Sequence, residues 1–149
     1  MVTIMKIAIG CDPNAAGFKM QLIPYIESLG HEVTDVGSDD PIYAHTAIAL
    51  GEAVAAKKFD RGILICGTGI GVCIAANKVK GVYAAELNNI YQAQRAQLSN
   101  KANVITLGAQ VTGIELAKCM VKEYLQNTFD ENSRSGPKIA AIADYETVN

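Results

Sequence analysis

The chain has 149 residues, half of them hydrophobic and 19% charged, with a formal net charge of −2. That is the size and balance of one globular domain, able to bury roughly 68–70% of its unfolded surface without a disulfide or metal staple. The small charge and the lack of a basic block argue against a nucleic-acid partner, no apolar run approaches the ~20 residues of a membrane span, and four cysteines without a CxxC pair, beside two histidines, form no zinc constellation.

Short apolar runs alternate with helical patterns from one end to the other. Met5 to Gly10 reads as a strand. Phe18, Leu22, Ile26 and Leu29 then recur at helical spacing, with Gly30 as a stop and Pro24 as an expected kink. Glu32 to Val36 is a second strand, polar at alternate positions and so expected near a sheet edge. Residues 44 to 57 are Ala-rich and helical. Gly62 to Cys66 is almost wholly apolar, as suits a central parallel strand covered on both faces. A glycine-rich turn follows, then a helix from Ile70 to about Lys78. Val82 to Glu86, Ile90 to Leu98 and Asn103 to Leu107 read as strand, helix and strand. Thr112 with Glu115 three residues on has the pattern of a capping box, opening a helix that runs to about Leu125. Asp130 to Gly136 is turn-rich, and a last helix of about 137–146 follows Pro137.

Strict alternation predicts an α/β fold: a single Rossmann-like, doubly wound domain with a five-stranded parallel sheet. Ligands bind such sheets beyond the carboxyl ends of the strands. Among those ends, Cys66-Gly67-Thr68-Gly69-Ile70-Gly71 is the most informative. A cysteine ends a buried strand, glycines then allow close approach of backbone N–H groups, and a helix starts. The positive end of that helix favours a thiolate, and the turn is suited to the developing oxygen charge of an enediolate. Spacing alone equally allows a tight strand-to-helix turn with a packed thiol. The glycine spacing matches neither the dinucleotide fingerprint nor a phosphate loop. That makes a nucleotide-binding module a weak reading.

The run Cys66 to Gly71, continued by Ile74-Ala-Ala-Asn-Lys78, resembles the family of type B ribose-5-phosphate isomerase and the galactose-6-phosphate isomerase subunits. The resemblance extends in order to residues 6–12, 30–37, 103–108 and 113–117. It implies an aldose–ketose isomerase of a small phosphorylated sugar that moves a proton between C1 and C2 through a cis-enediol, with no metal or cofactor. It also implies a homodimer or a dimer of dimers whose sites are shared, the C-terminal helix docking on a partner subunit. By the same resemblance, Cys66 matches the catalytic base and Thr68 the hydroxyl beside it, while Gly67, Gly69 and Gly71 match the cradle for substrate oxygens. Asp12 matches an acid that orients substrate hydroxyls, or else it is a loop carboxylate in an Asx turn. Tyr43 matches a tyrosine lining the site, or else a packing aromatic. Asn100 matches an asparagine that reaches the sugar from the neighbouring subunit, and Arg134 and Lys138 match two phosphate-binding arginines. Lysine keeps the charge of arginine but loses its fork.

Two departures stand out. Pro13 replaces a histidine that assists phosphate binding, with Asn14 as the candidate to fill in. Ser99 replaces the family's ring-opening histidine, and a serine has no titratable base near neutral pH. Of the two histidines, His31 reads as a packing or surface residue, whereas His45 follows Tyr43 near the predicted site. A tetrose 4-phosphate cannot close a furanose ring, because its 4-hydroxyl carries the phosphate. An enzyme for erythrulose 4-phosphate would have no use for the missing imidazole. The competing reading is a non-catalytic or half-site subunit of a heteromeric galactose-6-phosphate isomerase, needing a partner that supplies the histidine. The first six residues have neither a signal peptide's apolar stretch nor a cleavage site, and the unpaired thiols fit a reducing compartment, so a cytoplasmic location is expected.

Overall fold

The structure is a computed structural model that describes residues 3–148. The reading of the first six residues touches Met1 and Val2, which lie outside the described residues. Five strands, β1 (Lys6–Cys11), β2 (Glu32–Gly37), β3 (Arg61–Cys66), β4 (Ala84–Glu86) and β5 (Val104–Gly108), form one sheet in the order β2-β1-β3-β5-β4, every neighbouring pair parallel. The helices are α1 (Ala16–Ser28), α2 (Tyr43–Ala55), α3 (Ile70–Ala76), α4 (Ile90–Leu98), α5 (Ile114–Leu125) and α6 (Gly136–Val148). The α/β, doubly wound architecture expected from the alternation is the one observed.

The side-chain period of two sorts each strand onto two faces. Ile7, Ile9, Ile63, Ile65, Ile105 and Leu107 meet α1, α4 and α5 on one face. Ala8, Leu64, Cys66 and Val104 meet α2 and α3 on the other. Burial also explains the strand order. β5 is buried at every residue and lies inside the sheet, while three-residue β4 and polar β2 take the edges. Among the described residues no helix is long and apolar enough to cross a membrane.

Pro24 remains within α1. The capping-box expectation at Thr112 fails. After β5 the N–H groups of Val111 and Thr112 both turn back to the Gly108 carbonyl, which carries Thr112 inward to a buried position. The helix therefore starts one residue later, from Gly113, with no side-chain cap.

Of the two readings open for His31, packing or surface, the structure shows the first: it is 5% exposed. The Met5 N–H donates to its Nδ1 at 3.1 Å, which requires an unprotonated nitrogen there. Burial, and secondarily the Arg61 charge, hold this imidazole below its ordinary value of 6.5. The unfolded chain then binds the proton more readily than the folded one. The stabilisation is present above the unfolded value and is lost as pH falls through the lower folded value. The urea midpoint is expected to drop between about pH 7 and pH 5, and His31→Gln to flatten that drop. Equal pH slopes in the parent and the variant would disprove the assignment.

Candidate active site

The sheet has its topological switch point between β1 and β3, since β1 leads outward to β2 and the chain then returns to β3. In doubly wound sheets the ligand crevice opens at the carboxyl ends of the strands flanking that point. Here those ends carry Asp12 and Cys66. They are tied together, because the Asp12 N–H donates to the Ile65 carbonyl at 2.9 Å.

Cys66 ends β3 with 6% of its surface exposed. The Gly69 N–H donates to its Sγ at 3.1 Å. The sulfur is thus the acceptor of a backbone donor at the start of α3. That donor is in place because Gly69 has φ +82°, a left-handed conformation natural to glycine. The Gly69 carbonyl is held by the buried Thr106 hydroxyl at 2.8 Å. Burial pushes the Cys11 and Cys73 thiols up, which keeps both protonated and unreactive.

Thr68 is exposed beside the thiol, and its Oγ1 accepts from the Ile70 N–H at 3.3 Å. A Cβ at Gly71 would lie 2.4 Å from the Tyr43 hydroxyl, so Tyr43 packs directly on the turn. A Cβ at Gly67 would meet only the Gln110 side chain, at 3.6 Å, an ordinary contact. Packing within the chain therefore does not require glycine at position 67, whereas close approach of a ligand to its backbone would. Asp12 adopts the Asx turn allowed by the sequence: one carboxylate oxygen accepts from the Asn14 N–H at 2.9 Å. This fixes the side chain and leaves Asn14 on the exposed rim. His45 is turned away into an exposed pair with Asp40 at 2.9 Å, and the Asp40 carboxyl is held below its usual range by the Ile42 N–H and then by His45.

The remaining expected residues gather elsewhere. Asn100, Arg134 and Lys138 line one cavity of about 320 Å³, together with Arg95, Ser99 and Ser135. α4 begins just past the carboxyl end of β4 and runs back along the sheet for nine residues, about 13 Å. Asn100 follows it, and Asn103 already sits at the opposite end of the sheet, where its N–H donates to the Tyr83 carbonyl ahead of β4. Thus one chain presents Cys66, Thr68, Asp12, Asn14, Tyr43 and the three glycines at one end. Asn100, Arg134 and Lys138 lie apart from them, in a cavity that none of them lines.

Thr106 and Arg95 escaped the sequence reading, and Gly108 and Gln110 entered it only as a strand end. Thr106 had a signal, as the one polar side chain within the apolar Val104–Leu107 run. Gly108 had none. A Cβ there would lie 2.6 Å from the Thr68 carbonyl carbon and oxygen, a contact made across strands.

Residues 7–142 match the family described as Ribose/Galactose Isomerase. Over 147 residues the chain is 46% identical to the D-erythrulose-4-phosphate isomerase of Pectobacterium atrosepticum, covering 96% of each chain. It is 39% identical over 144 residues to the ribose-5-phosphate isomerase B of Escherichia coli, covering 95% of this chain and 96% of that one. The ribose-5-phosphate isomerase B structure of Clostridium thermocellum superposes with a TM-score of 0.90 at 36% identity, over 97% of this chain and 99% of the other.

Proposed function

The chain belongs to the ribose/galactose isomerase family and is an aldose–ketose isomerase of a small phosphosugar, and from that premise we propose that it interconverts a tetrulose 4-phosphate and its aldose, with Cys66 moving the proton. The observation carrying the tetrose reading is Ser99. Where the family resemblance places a ring-opening imidazole, this chain has a hydroxyl that already accepts from the Arg95 Nε at 2.6 Å. A five-carbon phosphosugar is mostly a closed ring and needs that acid–base group. A tetrose 4-phosphate needs none. The similarity to an erythrulose-4-phosphate isomerase at 46% identity points the same way.

Starting from the ketose, the Cys66 thiolate takes a proton from C1, and the C2 carbonyl becomes an enediolate. The developing charge is met by N–H groups of the Cys66–Gly71 turn. The O1 proton passes to O2, Asp12 holding the two hydroxyls, and the Cys66 thiol returns its proton to C2. Thr68 and Tyr43 bound the reacting end, and Asn14 takes the place beside Asp12 left by the absent histidine. Arg134 and Lys138 hold the phosphate, and Asn100 the sugar.

These two groups do not share a cavity within one chain, which supports a complete site shared between subunits of a homodimer or dimer of dimers. α6 is the docking element: Ile142 and Val148 on it are 50% and 79% exposed. The protein works in the cytoplasm, as its unpaired thiols suit a reducing compartment.

The test is the ratio of specificity constants on the pure homomeric protein. D-Erythrulose 4-phosphate is expected to exceed D-ribose 5-phosphate, whose ring must open, by about tenfold or more in kcat/KM, the quantity that measures discrimination between transition states. A ratio favouring the pentose would return the assignment to ribose-5-phosphate isomerase. Inactivity on both until an unlike subunit is added would favour the half-site reading.

A further inference from the structure

The cavity that holds Arg134 and Lys138 contains a third cation. Eight residues line it, among them Arg95, Arg134 and Lys138, and none is a carboxylate. A concave surface with three positive charges and no acid is built for an anion. Arg95 differs from the other two in being held in place. It lies on α4 one turn before Ser99, and its Nε donates to the Ser99 Oγ at 2.6 Å. That bond uses the inner nitrogen and leaves the two terminal nitrogens as a fork, the geometry that grips a phosphate through two oxygens. Lys138 provides charge alone, so Arg95 and Arg134 are the two residues here with a fork to offer.

Arg95 also occupies a distinctive place. With Asn100 it lines both this cavity and a neighbouring hollow of about 170 Å³ beside Glu86, at the end of β4. It therefore stands where the cavity adjoins the carboxyl end of β4. If C1 and C2 keep their position against the thiolate, a four-carbon substrate carries its phosphate one carbon–carbon bond closer to the reacting carbons than a five-carbon one. A third cation in the cavity offers a further contact for a phosphate held at that shorter reach.

We propose that Arg95 is a phosphate-binding residue that sets the enzyme for a short substrate, and that Ser99 is its positioning residue, the hydroxyl aiming the guanidinium into the cavity. This deepens the tetrose reading and rests on it. Ser99 then records more than a lost imidazole, because the hydroxyl supplies the acceptor that orients a new cation.

The test uses the whole enzyme with two probes: steady-state kinetics on D-erythrulose 4-phosphate, and calorimetric binding of inorganic phosphate. Arg95 is half-exposed on α4, so its replacement leaves the core untouched. Arg95→Gln is expected to raise KM and weaken phosphate binding about tenfold each while kcat stays within about twofold, since phosphate contacts serve ground and transition states alike. Arg95→Lys restores part of both losses through its charge. Ser99→Ala, with the arginine retained, moves both in the same direction by about threefold. Unchanged KM and phosphate affinity in Arg95→Gln would overturn the assignment and leave the tetrose reading standing. If the parent turns over neither tetrose nor pentose phosphate but Arg95→Gln still loses inorganic phosphate, the tetrose reading falls and the anion site remains.

Discussion

Cys66→Ala is expected to lose isomerase activity by about 10²–10⁴-fold or more, the usual size of a general-base contribution, with substrate binding nearly intact. The split follows from the geometry. The thiol receives the Gly69 N–H at the carboxyl end of β3, whereas Arg134, Lys138 and Asn100 line a separate cavity. Removing one sulfur atom deletes the group that accepts the C1 proton and leaves the phosphate contacts untouched. Alanine is smaller, and the site opens toward solvent, so the fold tolerates the change. The most direct measurement is exchange of the C1 hydrogen with deuterium from solvent. It should vanish with turnover, while inorganic phosphate still binds as in the parent. Full activity in the alanine variant would end the thiolate mechanism.

Gly108→Ala is expected to cost roughly 1–3 kcal/mol of stability through overpacking and about 100-fold in kcat/KM. The new methyl would sit 2.6 Å from the Thr68 carbonyl carbon and oxygen and 2.9 Å from its Cα. These are backbone atoms and cannot rotate aside. Relief requires the Cys66–Gly71 turn to move by about an ångström, and a misplacement of that size is enough for a loss near 100-fold. The shift also pulls the Gly69 N–H off the sulfur. Denaturant midpoints and kinetics on the purified variant test both halves, and a stable, fully active Gly108→Ala would show that the turn tolerates displacement. The contrast is Gly67, where a Cβ finds ordinary contact with Gln110. There the fold should be indifferent.

The Cys66–Gly71 turn shows how far local pattern carries. Cys66 and its glycines were visible because a strand end, a thiol and a helix start are consecutive in the chain. The inner place of β3 was visible for a similar reason, since a strand buried on both faces must be apolar throughout. Thr112 failed as a cap because its fate depends on two N–H groups turning back to Gly108, a bend that no three-residue spacing encodes.

The chain by itself determined the alternation of strands and helices, the edge and centre of the sheet at β2 and β3, and the chemical character of the Cys66 turn. Each is written in neighbouring residues, because hydrophobic period and turn chemistry act over a few positions. The tertiary structure alone decided that β5 lies between β3 and β4, that Gly108 presses on Thr68, and that Thr106 locks the Gly69 carbonyl. It alone placed Arg95 and Ser99 in one cavity with Arg134 and Lys138. These contacts join residues about 30 to 40 positions apart. They arise because burying both faces of the sheet brings distant segments within van der Waals and hydrogen-bond range, a constraint on packing in three dimensions that no local spacing expresses.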